Sequence, residues 1–144
     1  MTAPRQCILA IDPGKARCGL AVVAFDGSCL DLSVSPTMRL TADVTGLIAR
    51  HSPALLLVGD STGRGLVLDM LRPVGVPVQV VTERGTTLAA RALYFRDTPP
   101  RGFARLIPAG MRVPPRPVDD YAALAIALDW LSSHPEGVAA VQTS

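Results

Sequence analysis

The chain has 144 residues, nearly half of them apolar, and a net charge of only +2. That length suits one globular domain, which would remove roughly two thirds of its unfolded surface from water. No apolar run approaches the roughly 18 residues of a membrane span, the start MTAPRQC has no basic-then-apolar leader, and Cys7, Cys18 and Cys29 form no CxxC pair. These features predict an unexported cytoplasmic protein without a membrane partner, its cysteines reduced in or near the core, and no zinc site.

Ile8 to Ile11 and Leu20 to Val23 read as neighbouring strands, and Asp26-Gly27 as a hairpin turn into a third strand over Cys29 to Val34. Residues 41–51 place Val44, Leu47 and Ile48 on one helical face, with Pro53 just past the end. ALLLVGD (54–60) is an unbroken apolar run, as expected of a strand buried on both faces. GRGLVLDMLRPVG predicts a helix with Leu66, Met70 and Leu71 inward, closed by Pro73 and Gly75. PVQVVTE (77–83) reads as a fifth strand, after which Thr86 or Thr87 caps a helix running to about Phe95.

Residues 96–117 hold six of the thirteen prolines and no clear periodicity, which predicts a long irregular loop of the kind that carries function. Tyr121 to Leu131 then reads as a helix with Tyr121, Leu124, Leu128 and Leu131 on its inward stripe and Ile126 and Trp130 on a flank. The expected domain spans 1–134, followed by a flexible tail, 135–144. Three antiparallel strands followed by strand-helix alternation predict an α/β fold: a mixed five-stranded sheet, with the last two strands parallel, flanked by helices.

Charge is uneven along this order. Residues 84–116 carry seven arginines against Asp97 alone, a net +6, which leaves −4 for the remainder. Thirteen of the fourteen basic residues are arginine, whose planar fork matches phosphate. Acids, in contrast, mark element ends: Asp12 ends the first strand, Asp60 the fourth, Glu83 the fifth, and Asp119 with Asp120 opens the last helix. Each also has an ordinary role, as a turn residue, an exposed strand end or a helix cap. Carboxylates at equivalent ends of parallel strands nevertheless project into one crevice, the usual ligand position in α/β folds. Mg²⁺ or Mn²⁺ relieves their repulsion, and two such ions about 3.5 to 4 Å apart suit phosphoryl displacement. Acids holding metal and arginines holding a polyanion together predict a metal-dependent nuclease.

Three stretches resemble one family. IDPGKARCGLAVV resembles the opening of the RuvC/YqgF branch of the RNase H-like superfamily, D-x-G followed by G-x-A. TERGTT (82–87) resembles the D-E-R-x-[ST]-T motif of the YqgF branch, and PVDDYAALAIAL (117–128) the late-helix motif of both. The resemblance implies an RNase H-like fold, closer to YqgF, with Asp12, Glu83 and Asp119 as catalytic metal ligands. It leaves Asp60 as an extra ligand, since RuvC members carry an acid at the end of the fourth strand, and Asp120 as a weaker one, because adjacent helix positions point about 100° apart. The sequence departs from the pattern at Thr82, where YqgF has aspartate, and at Ala122, where RuvC-type resolvases often carry a second acid.

Lys15 and Arg17 flank Asp12, Arg84 follows Glu83, and Arg64, Thr86, Arg101, Arg105, Arg112 and Arg116 complete the expected nucleic-acid contacts. His51 and His134 fall at predicted helix ends, so activation of water is left to the metal. The resemblance implies branched DNA, single-stranded DNA or structured RNA as partner: the D-E-R-like motif and short length favour the YqgF side, ribosomal RNA precursor trimming, while Asp60 and the Asp-Pro-Gly turn keep the RuvC side, Holliday junction resolution by a homodimer, as the alternative. Two other classes compete. An actin-type ATPase or sugar kinase shares the D-x-G loop but needs two such domains, and a catalytically idle nucleic-acid-binding module would keep the fold alone.

Overall fold

The computed structural model describes residues 6–82, 86–98, 106 and 119–134. Strands β1 (Cys7–Asp12), β2 (Arg17–Ala24) and β3 (Cys29–Pro36) form an antiparallel meander. A 3₁₀ turn, Thr37–Arg39, leads into α1 (Leu40–His51), and β4 (Leu55–Gly59) follows. Next come α2 (Arg64–Leu71), β5 (Val78–Val81), α3 (Thr86–Asp97) and α4 (Asp119–Ser133). The sheet order is β3-β2-β1-β4-β5, with β4 parallel to both β1 and β5. The predicted mixed sheet of three antiparallel and two parallel strands is therefore present.

Alternation along the strands divides the core in two. Ile8, Ala10, Ala21, Val23, Leu55 and Leu57 face α3 and α4, while Leu9, Ile11, Leu20, Val22, Leu56 and Val58 face α1 and α2. β1 lies at the centre with a helical layer on each face, which is why its sequence is apolar without interruption. The hairpin after β2 closes as expected: Gly27 takes a positive φ of 92°, and the Asp26 side chain accepts from the Ser28 amide.

Several expectations change in detail. Leu66 is more than half exposed, and Val67, one position on, takes the inward place of α2 beside Leu71. The helix begins after Gly63, whose left-handed backbone sets its phase. In α4, Ile126 and Trp130 are buried, whereas Leu128 and Leu131 are only partly so. That helix starts at Asp119 rather than Tyr121, and α3 runs two residues past Phe95 to Asp97. Of the cysteines, Cys7 and Cys18 are buried but Cys29 is exposed, because it opens the edge strand β3. Among the described residues no helix is long and apolar enough to cross a membrane. Most of the proline-rich loop, together with the tail 135–144, lies outside them.

Candidate active site

Asp12 is the last residue of β1 and pairs across the antiparallel ladder with Gly19 of β2. It continues the side of β1 that carries Ile8 and Ala10, so it belongs to the face covered by α4. Gly19 is the point where α4 meets the sheet. A Cβ there would collide with the Asp119 carbonyl and the Asp120 amide, so only glycine lets the helix start this close. Directly paired strand residues have Cα atoms about 4.5 to 5.5 Å apart. The first turn of α4 thus rests on the residue next to Asp12, bringing Asp12 and Asp119 to one corner although 107 positions separate them.

Asp119 is partly exposed, and its Oδ2 accepts from the Arg17 guanidinium Nε at 2.5 Å. Arg17 opens β2 on the same side as Gly19 and Ala21, which directs it to α4. Asp120 is buried at 7% exposure, and its Oδ1 accepts from the Tyr121 amide at 3.0 Å. Neighbouring helix positions thus give the two aspartates different partners.

The turn between Asp12 and Arg17 is held from two sides. Thr37, almost fully buried, donates its hydroxyl to the Gly14 carbonyl at 2.9 Å and its amide to the Ala16 carbonyl at 3.0 Å. From the equivalent end of the parallel neighbour β4, Ser61 donates to the Pro13 carbonyl at 3.1 Å, and Gly63 packs against Gly14. Neither Thr37 nor Ser61 stands out in the sequence, because each acts on main-chain atoms distant from it along the chain. Lys15 projects from this turn, exposed and without an ion pair among the described residues.

Asp60 takes a different partner from Asp119. Ile11 pairs with Val58, so Gly59 is level with Asp12 and Asp60 lies one step beyond. Alternation assigns Asp60 to the side of Leu56 and Val58, the α2 face, where its carboxylate meets Arg64 at 2.5 Å. The Asp60 amide still extends the ladder, donating to the Val81 carbonyl. Two expected site residues, Asp60 and Arg64, therefore neutralise each other there.

Glu83, Arg84, Arg101, Arg105, Arg112 and Arg116 lie outside the described residues, and of Thr86 only its place at the start of α3 is described. His51 sits at the opposite end of β1 from Asp12: its carbonyl accepts from the Cys7 thiol and its ring faces Asp31. His134 stacks on Trp130. Neither is placed as a base for the Asp12 corner.

The chemistry of the donor set suits a hard cation: the acids meeting at the corner offer carboxylate oxygens, and the Arg17 guanidinium already sits as a cation against Asp119. Among the described residues no three Asp, Glu, His or Cys side chains are grouped to hold a metal, and Glu83 is not one of those residues.

Among solved structures, the chain is similar to Thermus thermophilus RuvC in complex with Holliday junction substrate. The TM-score is 0.63, at 25% identity over 93% of this chain and 98% of that one. The fold is RuvC-like. A second Thermus thermophilus RuvC structure gives a TM-score of 0.61 at 24% identity, covering 92% and 97% of the two chains. No protein-family model and no curated protein sequence matches the chain.

Proposed function

We propose that this chain is a divalent-metal-dependent nuclease that hydrolyses phosphodiesters in branched DNA. The observation that carries this is the approach of Asp12 and Asp119 across Gly19, within a fold that matches the resolvase RuvC over nearly its whole length. Asp12 and Asp119, with Glu83 from the segment after β5, supply the oxygens for Mg²⁺ or Mn²⁺. When bound, such ions neutralise the phosphate and make water nucleophilic near neutral pH. Lys15, exposed on the turn beside Asp12, holds a phosphate oxygen of the cut strand. The turn itself is kept rigid by Thr37 and Ser61, so Asp12 needs no reordering when substrate arrives. Arginines of the 84–116 segment track the flanking backbone and fix register without reading sequence. Asp60, tied to Arg64 on the other face, acts as a structural anchor for the loop that supports Pro13 and Gly14. Homodimerisation, implied by the RuvC resemblance, would suit a substrate with two-fold symmetry.

A second reading rests on residues 82–87, TERGTT, which resemble the YqgF motif and end where α3 begins. It exchanges branched DNA for structured RNA, such as a ribosomal RNA precursor, and leaves the chemistry the same.

The test is cleavage of labelled four-way junction, single-stranded DNA and structured RNA side by side, with Mn²⁺, Mg²⁺ or EDTA. We expect junction cleavage that disappears in EDTA and falls about 10³-fold or more in Asp12→Asn. Preferential cleavage of the RNA selects the second reading. Binding without cleavage under every metal condition leaves a catalytically idle module and sinks both.

A further inference from the structure

We infer that Arg17 is a built-in counter-ion of Asp119 that competes with the divalent cation for this carboxylate, so that metal loading and release of the guanidinium are coupled. The inference rests on the metal-dependent reading above and adds a residue that sets metal affinity.

The pair is held by main chain at both ends. Arg17 is paired with Pro36 at the start of β2, two positions before Gly19, and Gly19 is in backbone contact with Asp119 and Asp120. The sheet therefore delivers the guanidinium to the same carboxylate each time the chain folds, although the partners are 102 residues apart. The bond leaves Asp119 positioned by its backbone, so Arg17 is not needed to bring the acid to the corner. What it adds there is positive charge. A divalent ion on Asp119 would share a carboxylate with that charge, and like charges a few Å apart repel even where solvent enters. Half of the Arg17 side chain is exposed, which gives the guanidinium room to leave Asp119.

Two consequences follow. In the metal-free protein Arg17 neutralises Asp119, and a bound cation displaces it. The displaced guanidinium then stands hydrated beside the corner, where a phosphate oxygen is a stronger partner than water. Metal and polyanion each favour the other by removing the same internal ion pair, and that coupling is reciprocal.

The experiment is Mn²⁺ titration of the full chain without nucleic acid, with free Mn²⁺ followed by electron paramagnetic resonance, for wild type, Arg17→Gln, Arg17→Lys and Arg64→Gln. Arg17→Gln is expected to bind Mn²⁺ at least about fivefold more tightly; removing one charge about 4 Å from a doubly charged ion in water corresponds to roughly thirtyfold, and the half-exposed guanidinium lowers that by swinging away. Arg17→Lys, which keeps the charge, stays within about twofold of wild type on the same ground. Circular dichroism checks that each variant is folded. Unchanged or weaker Mn²⁺ binding by Arg17→Gln overturns the inference while leaving the nuclease reading intact. An equal gain in Arg64→Gln also overturns it, assigning the effect to overall charge. If neither wild type nor Arg17→Gln binds Mn²⁺, the metal-dependent reading falls with it.

Discussion

Gly19 is where an early strand and a late helix touch at the level of the backbone, and a methyl group is enough to part them. Gly19→Ala forces the Asp119–Asp120 main chain away from β2. We expect a loss of about 1 to 3 kcal/mol in urea denaturation, the usual cost of overpacking. Cleavage should fall further than that stability loss explains, because Asp119 is displaced from Asp12. The glycine is visible in the sequence as part of the G-x-A pattern, but its partner is not, since nothing near residue 19 announces residue 119. The same limit applies to Arg17. Its place beside Asp12 in the turn is legible, whereas its ion pair with Asp119 depends on how α4 sits on the sheet. Asp12 needed the least structure to find, because an acid ending an apolar strand ahead of Pro-Gly is a local pattern.

Among the elements, β4 shows how a correctly read strand leaves a side chain's partner open. Its apolar run marks it as buried and Asp60 as its end, and both are so. The Ile11 to Val58 register, which no local pattern encodes, makes Gly59 level with Asp12 and turns Asp60 to the other face. The helices show a related effect: α4 is apolar on nearly every side, so periodicity cannot tell which flank the sheet will take. α3 and α4 are joined by the edge contact of Tyr94 with Tyr121 and by Asp97, which accepts from the Tyr121 hydroxyl; within α3, Tyr94 also meets Phe95 and Asp97 also accepts from Arg96. The Arg96 hydrogen bond, reinforced by Tyr121, holds the Asp97 carboxyl below its ordinary value of 3.8. A carboxylate whose folded pKa is depressed stabilises the fold fully above its unfolded pKa and loses that contribution as pH falls through the folded one. Wild type should therefore lose slightly more stability than Asp97→Asn between pH 5 and pH 3. Paired urea melts at each pH measure the difference, which is small because solvent reaches both partners of the Arg96–Asp97 pair.

Over the whole molecule, charge and fold divide the work. The described sheet and the start of α4 carry Asp12 and Asp119, and the basic excess falls in residues 84–116, mostly outside the described residues. If about six of those arginines meet phosphates of a duplex, log affinity should fall against log salt with a slope near −5. Fluorescence anisotropy with a labelled junction in EDTA, between 50 and 200 mM salt, reads it directly, and a slope near zero would remove the arginines from the interface. The mixed sheet and its flanking helices were within reach of the sequence because five apolar strand segments and their alternation with helices imply them; the place of β4 beside β1 came from the structure. Which arginines touch substrate was not, because a proline-rich segment without periodicity carries no orientation. One consequence concerns synthesis. Asp12 is made 107 residues before Asp119, and their shared corner forms only once α4 has docked on Gly19. A chain in which β1 and β2 have paired but α4 has yet to be made therefore holds Asp12 without its partner: the order of the elements delays assembly of the corner until the last helix is present.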